Sequence, residues 1–319
     1  MVIIGDGFDD KSYSIIGLCI LFYLIFSKNS FRKININYIL FSFLLGVLVV
    51  GLVNITNIVG QLMLDDFSLF NSWESYSIID IQKIYYALYL NMAYVILLYF
   101  LQEKVLTIRV YLLCLPLVGL LLFVTGAVSG FLVFILINIL FGVKVLFPLY
   151  FAKFSILALV FPLVLLFLMS FNNTQSIFQK LDGDGSRLRN YKTNIGIILE
   201  KPILGHGIGV EMRAMQDARD INSWERKEAY NAHNQYFEIL IGGGFVYLFL
   251  LLSLLGILLF NSIRLNSKFN WLTISFNLIL FYVFIIESLL VRHHGFMFFS
   301  FFLSLLWYLE SSSANCNTI

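Results

Sequence analysis

The stretch "NAHNQYFEILIGGGFVYLFLLLSLLGILLF", from Asn231 to Phe260, decides the fold. It opens on a polar cluster with a histidine, two asparagines and a glutamate, and no residue after Glu238 carries a charge. A nearly uncharged apolar run of about 18 residues or more is long enough, as a helix, to cross the hydrocarbon core of a bilayer. The polar cluster therefore stands at a membrane boundary.

Similar runs recur at 12–27, 37–58, 84–101, 109–126, 128–143, 150–170, 241–260, 270–289 and 293–309, nine expected spans in all. The pair on either side of "TGAVSG", Thr125 to Gly130, is the hardest to separate. Hydrophobic residues make up 60% of the chain and charged residues 13%, against about 45–50% and about 25% in ordinary soluble domains. That balance excludes a soluble protein. Only helices or closed barrels satisfy their backbone in lipid, and these runs lack the alternation of a barrel strand. The expected fold is all-α, a polytopic transmembrane helical bundle of about nine spans with a large external loop.

Basic residues orient it. Lys28, Arg32 and Lys33 follow the first span, Lys104 and Arg109 the third, Lys144 the fifth, Arg264 and Lys268 the seventh. The loop after the second span holds Asp65, Asp66, Glu74 and Asp80, with no basic residue from Gly60 to Gln82. By the positive-inside rule that loop and the N-terminus are external and the C-terminus is cytoplasmic. The count divides the chain into an N-terminal membrane bundle (1–170), an external catalytic loop (171–240) and C-terminal membrane helices (241–319).

The formal net charge of +2 gives no reason to expect a nucleic-acid partner, since basic residues are spread through loops and nearly balanced by acids. Cys19, Cys114 and Cys316 are far apart and read as small apolar fillers, and no metal is expected. The opening "MVIIGDGFDDKSYSIIG" carries acids where a cleavable signal would carry basic residues, so insertion would rely on the first span.

Within the long loop, "SRLRNYKTNIGIILEK" (Ser186 to Lys201) places Leu188, Tyr191, Ile195, Ile198 and Leu199 at helical spacing. An amphipathic helix is expected there on the membrane surface, capped by Asp184 or Ser186 and ended by Pro202. Next comes "KPILGHGIGV", whose Gly205, Gly207 and Gly209 permit either a tight turn back to the membrane or a backbone approach to an anionic substrate. No strand precedes it and no Gly-Lys-Ser/Thr follows, so a nucleotide loop is refused.

His233 is the foremost candidate for chemistry, because a histidine at a membrane boundary takes or gives a proton near neutral pH. Asn231, Asn234 and Glu238 surround it, with Asn234 and Glu238 four apart on one helical face. A histidine that merely satisfies neighbouring helices is the plainer alternative. Arg187 and Arg189 suit a bidentate grip on phosphate oxygens, or equally snorkel to lipid headgroups. Arg292, with His293 and His294, starts the ninth span on the same side as the loop.

The ordered combination "SRLRNYKTNIGIILEKPILGHGIG" and then "NAHNQYFEILIGGGFVYLFLLL" resembles the O-antigen ligase and O-antigen polymerase superfamily of bacterial envelope enzymes. The resemblance covers Gly185 to Phe260 well and the other spans by general character. It places the family's arginine on Arg187, its PxxGxG element on Pro202, Gly205 and Gly207, and its HN element on His233 and Asn234. It implies a multi-pass protein of the bacterial inner (plasma) membrane that moves glycan from an undecaprenyl diphosphate carrier, without metal, cofactor or nucleotide sugar. An undecaprenyl-diphosphate-linked oligosaccharide and a chain-length regulator protein are the partners it implies.

One departure bears on charge. Family members often open a middle helix with serine-arginine-glycine, and here "TGAVSG" stands in that place with no arginine between Arg109 and Arg187. The diphosphate would fall to Arg187, Arg292 and Arg213, or the donor differs. The chain is also short for the family and begins outside in this count, which leaves open whether helices precede it.

The resemblance implies catalysis by His233 as base and Arg187 as diphosphate clamp, with Gly205, Gly207 and Asn234 at the substrate; Arg189, Arg213, Asn231, Glu238 and Arg292 are expected to bind it from their own charge, polarity and position. Inverting transfer is expected. Polymerisation of lipid-linked repeat units into surface polysaccharide is the preferred reading, from the look of the loop, with ligation to lipid A-core or protein as the alternative. A transporter or flippase of lipid-linked sugar would need charged residues at mid-membrane depth, and the expected spans hold almost none. An envelope assembly subunit would tolerate loss of Arg187 and His233.

Overall fold

The computed structural model describes residues 22, 35–62, 73, 77–79, 81–146, 186–264 and 267–316. Apart from residue 22, the expected spans 12–27 and 150–170 lie outside them, as does the proposed cap Asp184. The described residues are helical with no β-sheet among them: α1 (Ile36–Leu62), α2 (Lys83–Gln102), α3 (Ile108–Thr125), α4 (Val128–Leu146), α5 (Ser186–Glu200), α6 (Glu211–Ala218), α7 (Trp224–Lys227), α8 (Gln235–Arg264), α9 (Asn270–Ile286), a 3-10 turn at Leu289–Val291, and α10 (His293–Cys316). Six of these helices are long and apolar enough to cross a membrane, and α9 is a shorter apolar helix. The protein is a multi-pass helical membrane bundle.

Two compact units share the chain: residues 1–22, 158–260 and 281–301 form one, and residues 23–157, 261–280 and 302–319 the other. In the second, α2 is the central helix. From Tyr85 to Phe100 all but Tyr89 are buried, because α1, α3 and α4 pack around it. Small residues allow the approach: a Cβ on Gly130 of α4 would run into Ala87 of α2, the close contact that membrane helices favour. Three polar side chains of α2 bond to neighbouring helices. Asn91 Nδ2 donates to Ala87 O at 2.8 Å and Gly130 O at 3.1 Å, Tyr94 donates to Asn138 at 2.7 Å, and the Tyr86 hydroxyl reaches Val47 O. The outer faces of α1, α3 and α4 expose Phe41, Leu45, Leu113, Leu120, Leu132 and Ile135, an apolar surface larger than water would tolerate.

"TGAVSG" is a helix boundary. Gly126 closes α3 in the left-handed conformation at φ 60°, and α4 begins two residues later, so the two spans are separate helices.

Charge inside the spans is less scarce than the sequence suggests. Helix α10 runs on to Cys316 and takes in Glu310, which is buried and accepts from Thr273 at 2.7 Å.

In the first unit, α5 has a different partner from the one its amphipathicity suggests. Ile197 and Ile198 are buried in one cluster with Met215 of α6 and Phe237 and Ile241 of α8, with Tyr191 and Ile195 beside it. The apolar face is covered by protein, and Leu199, expected on that face, is exposed.

Helix α8 is broken. Gly244 has φ 63° and ψ −161°, so the helical bonds across it are lost, and the loop after α5 replaces them. His206 N donates to Ile241 O at 2.7 Å and Gly207 N to Gly242 O at 2.8 Å, while Phe245 N and Val246 N donate to Pro202 O at 2.8 Å and Ile203 O at 3.2 Å. Each bond is worth about 1 kcal/mol net in water, and more where lipid offers no partner. Gly205 at φ 64° is needed for the contact, because a Cβ there would strike the Gly242 carbonyl. The His206 ring completes the joint by bonding Ile197 O at 3.0 Å, one of the carbonyls left over at the end of α5.

Candidate active site

The nine residues of α8 before the break at Gly244 begin with a cap dictated by sequence. Asn234 Oδ1 accepts from Tyr236 N at 2.9 Å and Phe237 N at 3.2 Å, the bonding of an N-cap asparagine, worth about 1 kcal/mol. Its Nδ2 donates to Ile285 O at the end of α9, so the amide has a partner on each side and is fully buried. Glu238 reaches back to Ala232 N at 3.1 Å and accepts from the Ser288 hydroxyl at 3.2 Å. Gln235 Oε1 takes Leu290 N at 2.6 Å, and the Tyr236 hydroxyl takes Phe281 O. The side chains of Asn234, Gln235, Tyr236 and Glu238, within little more than one helical turn, thus stitch the start of α8 to the end of α9 and the turn after it.

His233 stands just outside this cap, at φ 47°. A left-handed histidine costs free energy unless its surroundings fix it. Here Asn231 Oδ1 accepts from His233 N at 3.1 Å, an Asx turn, and Tyr230 lies against the ring at a centroid distance of 4.3 Å. The ring is partly exposed, at 24%, and its Nδ1 is 3.4 Å from Glu287 Oε2, whose side chain is buried. Among the described residues Nε2 has no partner.

Behind the histidine lies a buried support that charge counting alone could not find. Arg219 donates to Asn190 Oδ1 at 2.6 Å, to Glu225 O and to Tyr230 O. Asn190 in turn donates to Asn231 O at 2.9 Å and Ala232 O at 3.2 Å. Burial lowers the pKa of Arg219, opposed by the charges of Glu225 and Glu238. The guanidinium therefore orders the residues 230–232 that present His233. Asn194, one turn along α5 from Asn190, is fully buried, and both its amide atoms lack a hydrogen-bond partner.

The arginines named from sequence are scattered in role. Arg187 lies in the first turn of α5, and its side chain is outside the described residues. Arg189 is bonded to Glu225 at 2.9 Å. Arg213 is exposed and faces Asp217 at 3.9 Å. Arg292 is exposed at the start of α10, five residues beyond Glu287. The backbone cradle considered for the glycines is occupied by the chain: Gly205 N bonds Lys201 O, Gly207 N bonds Gly242 O and Gly209 N bonds Glu211 Oε2. None of these three N–H groups is left for an anion.

The residues brought together are His233, Asn231, Asn234 and Glu238, as expected, and Glu287, Ser288, Asn190 and Arg219, which were not. Glu287 was missed because it reads as the polar tail of an apolar span. Arg219 was missed because a single loop arginine carries no motif or spacing that marks it as a buried support. Among the described residues no three His, Cys, Asp or Glu side chains cluster as metal ligands would.

The arrangement offers one histidine nitrogen on a buried carboxylate and the other open, at the mouth of an apolar helix. Residues 112–252 match a family model described as O-antigen ligase. The matched range includes Arg187 and His233 and stops before Glu287 and Arg292. No curated protein matches the chain.

Proposed function

We propose that the chain, a member of the O-antigen ligase and polymerase superfamily by its match over residues 112–252, transfers glycan from an undecaprenyl diphosphate carrier, with His233 as the base. The observation that carries the role of His233 is its open Nε2 on a ring held in place beside the apolar run. In the reaction, the acceptor hydroxyl oxygen bonds to the anomeric carbon from the face opposite the carrier. The bond from that carbon to the diphosphate oxygen breaks, and the acceptor proton passes to Nε2. The diphosphate departs with the electron pair, and positive charge near it lowers the barrier. Arg187 is the proposed clamp, with Arg292 or Arg213 as a second.

A substrate that is half lipid and half sugar needs its reacting bond at the membrane boundary. That need accounts for a polar cluster against an uncharged helix. The proposed side is external, by the distribution of lysine and arginine.

The description of the matching family favours the ligase, which hands finished glycan to lipid A-core or protein, over the polymerase preferred from the loop sequence alone. The two differ in acceptor. The test is a gel of surface glycan from cells lacking their own ligase or their own polymerase, each supplied with the parent chain or His233→Ala at equal membrane abundance. The proposal expects glycan attached to its acceptor in the first host, and its loss with His233→Ala. Restored chain length in the second host alone would make it a polymerase. Equal product from parent and variant would remove His233 from the chemistry.

A further inference from the structure

We infer that Glu287 is the positioning residue of His233: its carboxylate holds the proton on Nδ1 and so keeps Nε2 open toward the acceptor. The inference rests on His233 being the base, and extends it to a residue beyond the family match.

The geometry is directional. Glu287 Oε1 accepts from Ser288 N at 3.2 Å, which leaves Oε2 as the oxygen turned to Nδ1 at 3.4 Å. That separation is long for a hydrogen bond, as catalytic pairs often are before substrate arrives. An ionised carboxylate accepts only, so an imidazole facing it carries its hydrogen on the near nitrogen.

The carboxylate is also not needed to join the segments. Asn234 and Tyr191 both take Ile285 O, Gln235 takes Leu290 N and Glu238 takes the Ser288 hydroxyl. With the turn after α9 already fixed from both ends, a purely structural Glu287 would be an expensive choice, since a buried charge costs free energy unless paired. Among the described residues the His233 ring is the side chain that faces its Oε2. A partner that selects the histidine tautomer accounts for both the burial and the direction.

The experiment uses the full chain in detergent with ¹⁵N-labelled histidine, the four histidines being few enough to assign by loss of the His233 signal in His233→Ala. The parent is expected to show the Nδ1–H tautomer at His233, and Glu287→Gln to shift it toward Nε2–H. Turnover is followed in parallel, with lipid-linked oligosaccharide extracted from the host's membranes as donor. Glu287→Gln should lower kcat by about 10²–10⁴-fold with donor KM changed by less than about twofold, and Glu287→Asp should recover part of the loss. An unchanged tautomer, full kcat in Glu287→Gln or loss of folding in Glu287→Gln would each overturn the positioning role. If His233→Ala retains turnover, the base assignment itself falls; if only Glu287→Gln retains it, the base stands and this inference alone fails.

Discussion

At the end of α4, Lys144 Nζ donates to Gln102 Oε1 at 3.1 Å and Asn270 Oδ1 at 3.2 Å and lies 5.3 Å from the centre of the Trp271 ring. Ahead of α8, His233 has one ring nitrogen against Glu287 and none of the described residues against the other. Both are single polar side chains at the edge of an apolar run, and helical periodicity does not tell them apart. The lysine ties α4 to α2 and α9, and its cationic head meets two acceptors and a π-face. The histidine is surrounded by bonds that hold its backbone and its carboxylate, while its second nitrogen stays open. A polar residue at a helix end is a fastener when its partners close around it and a candidate for chemistry when the fold holds it open.

The sharpest way to break that contrast is to exchange what each substitution damages. His233→Ala should lower turnover by about 10²–10⁴-fold, equal to about 3–5 kcal/mol of barrier, with the unfolding temperature in detergent unchanged within about 2 °C. Lys144→Met should do the opposite, leaving turnover within about threefold. A fall in turnover for Lys144→Met as large as that for His233→Ala would erase the distinction.

A smaller effect, on stability alone, is expected where the loop docks on α8. Gly205→Ala must hold alanine at φ 64° and push a Cβ into the Gly242 carbonyl. The strain and the lost bonds together amount to about 3 kcal/mol. The readout is early proteolysis after Lys201 in the variant, with the parent protected. Equal protection would mean that the loop is held by something other than the four backbone bonds.

These two sites also show what was readable. The long helices follow from uncharged length, and seven of the expected spans coincide with described helices to within a few residues at most ends. Helix α5 was legible too, from its spacing and from Pro202. The break at Gly244 was not, since "ILIGGGFVYLF" stays apolar straight through it, and what permits it is a loop some forty residues earlier. Glu287 was hidden for a related reason: a span drawn as 270–289 includes it, whereas α9 stops at Ile286. Periodicity records what a residue does for its own helix. It is silent on partners fifty residues away, and His233, Glu287, Asn190 and Arg219 meet only through such partners.

Next in size is the fastener itself. Lys144→Met removes two charge-assisted hydrogen bonds and a cation–π contact and leaves Gln102 and Asn270 to find other partners. The expected cost is about 1–2 kcal/mol, read as a lower unfolding temperature in detergent. A variant more stable than the parent would show that the buried charge costs more than its contacts return.

The smallest expected effect tests whether the loop joint is closed like the lysine or open like the histidine. Glu211 accepts from Gly209 N at 2.9 Å, and a Cβ on Gly242 would run into its carboxyl group, so it sits directly over the break in α8. Burial raises its pKa above the ordinary carboxylate value, opposed by the N–H groups of Glu211 and Gly209. The fold thus favours the protonated form. The resulting stability is fully present below the unfolded-state pKa and is lost as pH rises through the folded-state value. Glu211→Gln keeps an oxygen for Gly209 N and stays neutral at every pH. Its unfolding temperature should match the parent's near pH 4 and lie above it at pH 7. A parent that is the more stable at pH 7 would mean that Glu211 is held as an anion by a positive partner, and the joint would then belong with Lys144.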